Sequence, residues 1–349
     1  MTPSLVERLR QRISREGPIS FRDFMEAALY DAAEGYYARG APIGEPGDFV
    51  TSPCVSPAFA AALAREFRRE TGRFEGPVDF VDAGSGDGRF LADFAAALGR
   101  QDPAFAARVR LTAVERSARA REDLSRRGLS GPARLLDSAE RLREASVRGW
   151  IFSNELFDAL PVVRVEGSAE GLRELRVGLE AGRFVWTPSP APPPLRDHLA
   201  SFGVALAPGQ AGEIAPGAAP LYRHLARALA LGCLVTFDYG HRAPVLYHPL
   251  ARSKGTLAVH SAGKRGGDPL ERPGEVDLTA HVNWDDLARA GEAEGLATRG
   301  VFRQASYLAR AGLFDFVGND AEKWRAYRLV DPEGMGEELS VLIQTRGIG

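Results

Sequence analysis

The run Val78-Asp79-Phe80-Val81-Asp82-Ala83-Gly84-Ser85-Gly86-Asp87-Gly88-Arg89-Phe90 decides how the rest of the chain is read. The apolar stretch 78–83 reads as a buried strand, three glycines at alternate positions break it, and Phe90 opens a helical pattern reaching Leu98. A strand feeding a turn and then a helix begins a βαβ unit, and repeated units of this kind build an open parallel sheet with helices on both faces. The turn has a chemical meaning too. Without side chains at Gly84 and Gly86 the backbone can approach a ligand closely, and the following helix offers free N–H groups and a positive dipole end to an anion. In the dinucleotide fingerprint the third glycine falls one residue later than Gly88 does, letting the helix pack on the strand. The spacing therefore favours S-adenosylmethionine over NAD, with Asp82, Gly84, Ser85, Gly86 and Gly88 around it. An ordinary tight strand-to-helix turn is the alternative.

Outward from this run, strand and helix patterns alternate as a doubly wound α/β fold requires. Strands are predicted at 111–115, 133–137, 150–154, 234–238 and 297–302, a helix from Trp284, and a final edge strand at 339–345. Upstream, residues 3–32 read as two helices separated by Gly17-Pro18, with Ser20 as an N-cap; residues 35–57 read as loop and 57–70 as helix. The alternation is interrupted at about 162–217, which includes the proline-rich stretch 188–194, and again in a Gly-rich, charged segment at about 251–283. The expected organisation is a helical extension, 1–75, packing on a core, 76–349, that carries these two insertions.

Composition bounds the partners. Forty-four basic and 46 acidic residues leave a net charge of -2 over 349 residues, so no overall field draws the chain to nucleic acid or anionic lipid. Of two cysteines, Cys233 lies in an apolar run that reads as a buried strand, which suits a reducing compartment. The N-terminus lacks the apolar stretch of a secretory signal and no run approaches membrane-spanning length, so a soluble, cytoplasmic protein without a membrane partner is expected. The histidines show no metal-ligand spacing, and no metal is expected.

Several polar residues fall at predicted strand ends, where an open α/β sheet gathers its ligands. Glu115 can accept hydrogen bonds from both hydroxyls of a ribose, unless it is a solvated strand-end acid. Asp137 and Ser138 sit where an adenine amino group would be reached; a plain helix cap is the alternative. After Ser153 and Asn154, the latter placed with the cofactor residues, come Glu155-Leu156-Phe157-Asp158. If this segment turns helical at once, Glu155 and Asp158 share a face and can grip a guanidinium through charge-assisted bonds, aiming a nitrogen at a methyl donor. A capping pair on an exposed turn is the other reading. Asp238, Tyr239 and His241 end the fifth strand and face the same crevice, or form a turn around Gly240; His241 is a candidate catalytic group.

Taken together, these motifs resemble the MidA family of methyltransferases, which includes the mitochondrial complex I assembly-factor methyltransferase that modifies an arginine of a complex I subunit. The segments that carry the resemblance span most of the chain: Gly17-Pro18-Ile19, Gly35-Tyr36-Tyr37, Gly47-Asp48-Phe49-Val50-Thr51-Ser52-Pro53, the glycine turn, 154–161, Asp238-Tyr239-Gly240-His241 and Asp277-Leu278-Thr279-Ala280-His281-Val282. The resemblance implies a seven-stranded methyltransferase sheet, Thr51, Ser52 and Pro53 lying over the cofactor, and methylation of an arginine in a protein substrate, such as a respiratory complex subunit. Cys54, Leu156, Asp87 and Arg89 depart from the family pattern, and 257–265 lacks the tyrosine and arginine expected after Gly255-Thr256-Leu257. These departures leave room for two other functions: methylation of a small molecule or another side chain, and a catalytically silent assembly protein on the same fold.

Overall fold

The computed structural model describes residues 3–40, 51–127, 134–261 and 264–348. Its strands, in chain order, are Val78–Ala83 (β1), Val109–Val114 (β2), Arg134–Leu136 (β3), Val147–Asn154 (β4), Val163–Ser168 (β5), Gly171–Glu180 (β6), Arg183–Pro190 (β7), Ala211–Ile214 (β8), Leu229–His241 (β9), Ala258–Ser261 (β10), Lys264–Arg265 (β11), Asp277–Thr279 (β12), Val282–Asn283 (β13), Ala297–Arg303 (β14) and Leu339–Arg346 (β15). Ala133, expected to open the third strand, and Gly47 to Val50 lie outside the described residues. The main sheet runs β14-β15-β9-β4-β1-β2-β3, with β13 beside the end of β9. β1 pairs parallel with β2 and β4, β2 with β3, and β4 with β9. The carboxyl ends of these strands therefore open on one edge, as the alternating pattern predicts.

Among the described residues, the four helices before the glycine turn are Leu5–Glu16 (α1), Phe21–Tyr30 (α2), Ser52–Val55 (α3) and Pro57–Thr71 (α4), and Arg89–Gln101 (α5) follows it. α4 and α5 cover one face of the sheet, where Phe80 of β1 stacks on Phe94 with ring centres 3.9 Å apart and Phe67 meets Phe80 edge-on at 5.3 Å. Burying each such ring contributes about 1.5–3 kcal/mol, which is why the run 78–83 is held in the centre of the sheet.

α1 and α2 belong to a different core from α4. Ser4 and Glu7 form a capping box at the start of α1, and Gly17 at φ 79° ends it. Ser20 occupies the N-cap position of α2 in extended backbone, yet its side chain makes no capping bond. The apolar faces of both helices, among them Leu5, Leu9, Phe21, Phe24 and Met25, pack with Val177 of β6 and with Val259, Leu270, Val276 and Leu278. The first insertion is a four-stranded antiparallel sheet in the order β7-β6-β5-β8, and the second forms the three-stranded sheet β11-β10-β12. The N-terminal helices thus clamp both insertions together over the strand ends.

One strand is differently placed from the sequence prediction. The segment 339–345 is predicted at an edge, but β15 lies antiparallel between β9 and β14, and β14 is the edge. The physical reason is visible in the side chains: seven of the eight residues of β15 are buried, including Gln344, whose amide donates to Ala288 O at 2.8 Å and Thr298 Oγ1 at 2.7 Å. A strand buried on both faces needs neighbours on both sides, whereas β14 is largely exposed.

Candidate active site

A cavity of about 1320 Å³ opens at the carboxyl edge of the sheet, roofed by the N-terminal helices and the second insertion. Its floor begins at the glycine turn. Gly84 and Gly86 stand at φ 81° and 54°, a region that side chains resist. A Cβ added to Gly84 would come to 3.0 Å from Leu156 Cδ1, while one added to Gly86 would meet no atom of the described residues within 4 Å and would project into free space beside the cavity. Gly88, at φ 79°, starts α5. Glu115, one residue past β2, accepts from Gly86 N at 2.8 Å and Ser117 N at 2.7 Å, so its carboxylate braces the turn. The carboxylate also borders the cavity, where it can accept from a ribose hydroxyl. Burial raises its pKa.

Asp137 and Ser138 border the cavity at the end of β3. Ser138 Oγ accepts from Glu140 N at 3.2 Å, capping the short turn Ala139–Arg141, and Asp137 pairs with Arg141 at 3.0 Å. At the floor, Asp82 Oδ2 and Asn154 Oδ1 are buried without hydrogen-bond partners among the described residues. Orphaned acceptors of this kind call for a donor from a ligand. Burial pushes Asp82 up to about 7.

Beyond β4 the chain does not turn helical as the sequence reading supposes. It bends, with Glu155 at φ 50°, because β9 captures the amides: Glu155 N donates to Phe237 O at 2.9 Å and Phe157 N to Asp238 Oδ2 at 2.8 Å. A non-glycine residue held at positive φ is strained, and such strain persists only where surrounding bonds enforce it. Glu155 and Asp158 nevertheless both border the cavity, joined there by Asp277. Glu155 Oε1 accepts from Asn154 Nδ2 at 2.9 Å and Ser52 N at 3.3 Å. Asp238, fully buried behind this wall, accepts from Phe157 N and Tyr239 N, each at 2.8 Å. Burial pushes Glu155 up to about 7 and Asp238 up to about 8. Asp158 is raised by burial and then by the charges of Asp238, Glu155 and Asp277 around it. Four acids crowded in a low-dielectric pocket repel one another, and the arrangement is relieved by a cation.

The adjoining wall comes from the N-terminal residues. Tyr37 donates its hydroxyl to Asp277 Oδ1 at 3.0 Å, Tyr30 donates to Ala159 O at 2.9 Å, and the two rings stack 5.4 Å apart. An acid face and an aromatic face together suit a planar cation such as a guanidinium.

Of the residues singled out in the sequence, Thr51, Pro53, Asp82, Gly84, Ser85, Gly86, Glu115, Asp137, Ser138, Asn154, Glu155 and Asp158 border this one cavity. Ser52 lies fully buried behind its wall, and Gly88 is set back into the start of α5. His241 does not border the cavity: its Nε2 faces Arg252 Nη2 at 2.5 Å, and burial with Arg252 and Arg303 pushes it down to about 4. The adjoining His281, ring centres 5.3 Å apart, takes the lining place. Asp277 and Tyr37 lie in the family-like segments and Tyr30 ends α2, each far from the acids in sequence; only folding over the strand ends brings them together. Among the described residues no cluster is arranged to hold a metal, and no helix is long and apolar enough to cross a membrane.

Comparison with known proteins gives the same picture of the cofactor. Residues 59–302, more than half of the chain, match a family described as "Putative S-adenosyl-L-methionine-dependent methyltransferase". The mouse protein arginine methyltransferase NDUFAF7, mitochondrial, is 26% identical over 97% of this chain and 83% of its own length. Its human counterpart is 26% identical over 90% and 74%. A methyl transferase candidate from Burkholderia thailandensis, crystallised with S-adenosyl-homocysteine bound, superposes with a TM-score of 0.86 at 32% identity, covering 99% of this chain and 92% of that one. These relatives also correct one expectation. Animal proteins similar over nearly the whole chain are named mitochondrial, and the cytoplasmic location expected from the sequence is withdrawn.

Proposed function

From a chain that belongs to the MidA family of S-adenosyl-L-methionine-dependent methyltransferases, we propose a specific activity: methyl transfer to a guanidinium nitrogen of an arginine in a protein substrate. The observation that carries this reading is the cluster of Glu155, Asp158 and Asp277 on the cavity wall, faced by Tyr30 and Tyr37. The arginine methyltransferases among its relatives support it.

The fit to S-adenosylmethionine rests on the open face of Gly86, the cavity-lining carboxylate of Glu115 and the orphaned acceptors of Asp82 and Asn154. Thr51 and Pro53 would cover the ligand, with Asp137 and Ser138 at its far end. When bound, S-adenosylmethionine supplies an electrophilic methyl group on a sulfonium. On the acceptor side, Glu155, Asp158 and Asp277 hold the guanidinium by charge-assisted hydrogen bonds and fix the approach of one nitrogen. Forming the new N–C bond would break the methyl–sulfur bond, whose electron pair stays on the departing thioether of S-adenosylhomocysteine, and would leave one proton to be released from that nitrogen. A carboxylate whose pKa lies near neutrality accepts it more readily than an ordinary surface acid, and Glu155 meets that description. Asp238 takes no part directly; its two backbone bonds hold Phe157 and Tyr239 in place.

The test is mass spectrometry of proteins treated with the enzyme and S-adenosylmethionine, compared with the Glu155→Gln variant. Methyl groups gained on arginine only with the wild type are expected. Methyl groups gained solely on other side chains or small molecules would overturn the arginine assignment.

A further inference from the structure

Gln304 stands at the start of the helix Gln304–Arg310, immediately after β14 and fully buried. Its side chain is bonded at both ends. The oxygen accepts from Ser52 Oγ at 2.9 Å, and the amide donates to Leu329 O at 2.9 Å and Met335 O at 3.4 Å. One amide thus ties the short helix α3 to two carbonyls of the C-terminal segment. Ser52, also fully buried, in turn donates its backbone N–H to Glu155 Oε1, while its neighbours Thr51 and Pro53 border the cavity. A buried amide satisfied on every side is rigid, because any displacement leaves a polar group unpaired.

We infer that Gln304 is a positioning residue for this site, acting through Ser52 to hold the α3 wall and the carboxylate of Glu155. The proposal rests on reading Glu155 as the acceptor-side carboxylate. It gives the C-terminal segment, which does not reach the cavity through Gln304 itself, control over the geometry of transfer. Besides Ser52 and Asn154, Glu155 faces Asp158, Asp238, Asp277, Tyr239 and Cys54. Once the Ser52 Oγ–Gln304 bond is gone and α3 shifts, the Ser52 N–H moves off Glu155, which among so many acids favours its protonated form.

The experiment is a double-mutant cycle of Ser52→Ala, Gln304→Met and the pair, with folding followed by circular dichroism. The measured quantities are kcat against pH with an arginine-containing protein substrate and the affinity for S-adenosylhomocysteine, which needs no acceptor. Each single variant should lower kcat about tenfold and move the acid limb of its pH profile upward, and the pair should be no worse than the more severe single. Additive losses, or an unmoved acid limb in folded variants, would overturn the link. If Gln304→Met does not fold, Ser52→Ala decides alone by the same acid limb, since it leaves both bonds to the C-terminal carbonyls in place. Should the wild type transfer nothing to arginine, the arginine reading fails. The cycle is then read on S-adenosylhomocysteine affinity: non-additive weakening supports the link, and additive or absent effects overturn it.

Discussion

At the residue scale, the glycine turn and the acids make separable demands. Gly86 at φ 54° has open space where a side chain would go, so Gly86→Val introduces both backbone strain and an obstruction in the ligand's place. Calorimetric titration should show S-adenosylmethionine binding lost in a protein that still folds; wild-type affinity would remove the turn from the site. Glu155→Gln keeps the volume and deletes the charge. Turnover should collapse by about a hundredfold or more while cofactor affinity stays within a few-fold, since the acid acts on the acceptor and on its released proton. If the affinity fails first, Glu155 belongs with the cofactor instead. The types of these residues and their positions at strand ends were legible in the sequence. The positive φ of Glu155 was not, because it follows from amide bonds to β9, a strand some eighty residues away.

At the element scale, α2 connects packing to function. Phe24 is fully buried and meets Phe184 of β7 edge-on at 5.3 Å, while Tyr30 at the helix end and Tyr37 beyond it form the aromatic wall of the cavity. Phe24→Ala should cost about 3–5 kcal/mol through the cavity it leaves. Because this loosens the acceptor wall more than the glycine floor, KM for the protein substrate should rise while affinity for S-adenosylhomocysteine holds. Paired denaturant and kinetic measurements check this; equal loss of both affinities would show that α2 supports the whole site. Helices at this end were readable from apolar spacing and Gly17-Pro18. Their docking on the insertions was not, since a helix's apolar stripe states that it must be covered and leaves open by what.

At the scale of the whole molecule, the buried acids set a pH dependence. A carboxyl whose pKa is higher folded than unfolded holds its proton more tightly in the folded state. Its stabilising contribution is complete below the unfolded value, about 4–4.5, and is lost as pH rises through the folded value. For Asp82 and Glu155 that value is about 7, and for Asp238 about 8. Below about pH 6.5 the half-buried His241 and His281, pushed down to about 4 and about 3, work in the opposite sense, so the Tm of the ligand-free protein should fall between about pH 6.5 and about pH 8, and less steeply in Glu155→Gln. A Tm that is level or rises across this window would mean that the acids are not held up by burial. Activity should move oppositely, rising with pH as the acceptor-side acids ionise.

By itself the sequence determined the layers and the cofactor. Period-two and apolar runs, punctuated by glycines, specify local structure through short-range sterics and burial, and the glycine turn needs only its neighbours to present free N–H groups. The tertiary structure alone decided the rest. It set β15 inside the sheet, because a strand buried on both faces must find two partners. It moved His241 away from the cavity and brought in His281, because β13 pairs with the end of β9. It gathered Asp277, Tyr30 and Tyr37 beside Glu155 and Asp158 across more than a hundred residues of chain, because the N-terminal helices and both insertions bury their apolar faces in one shared core.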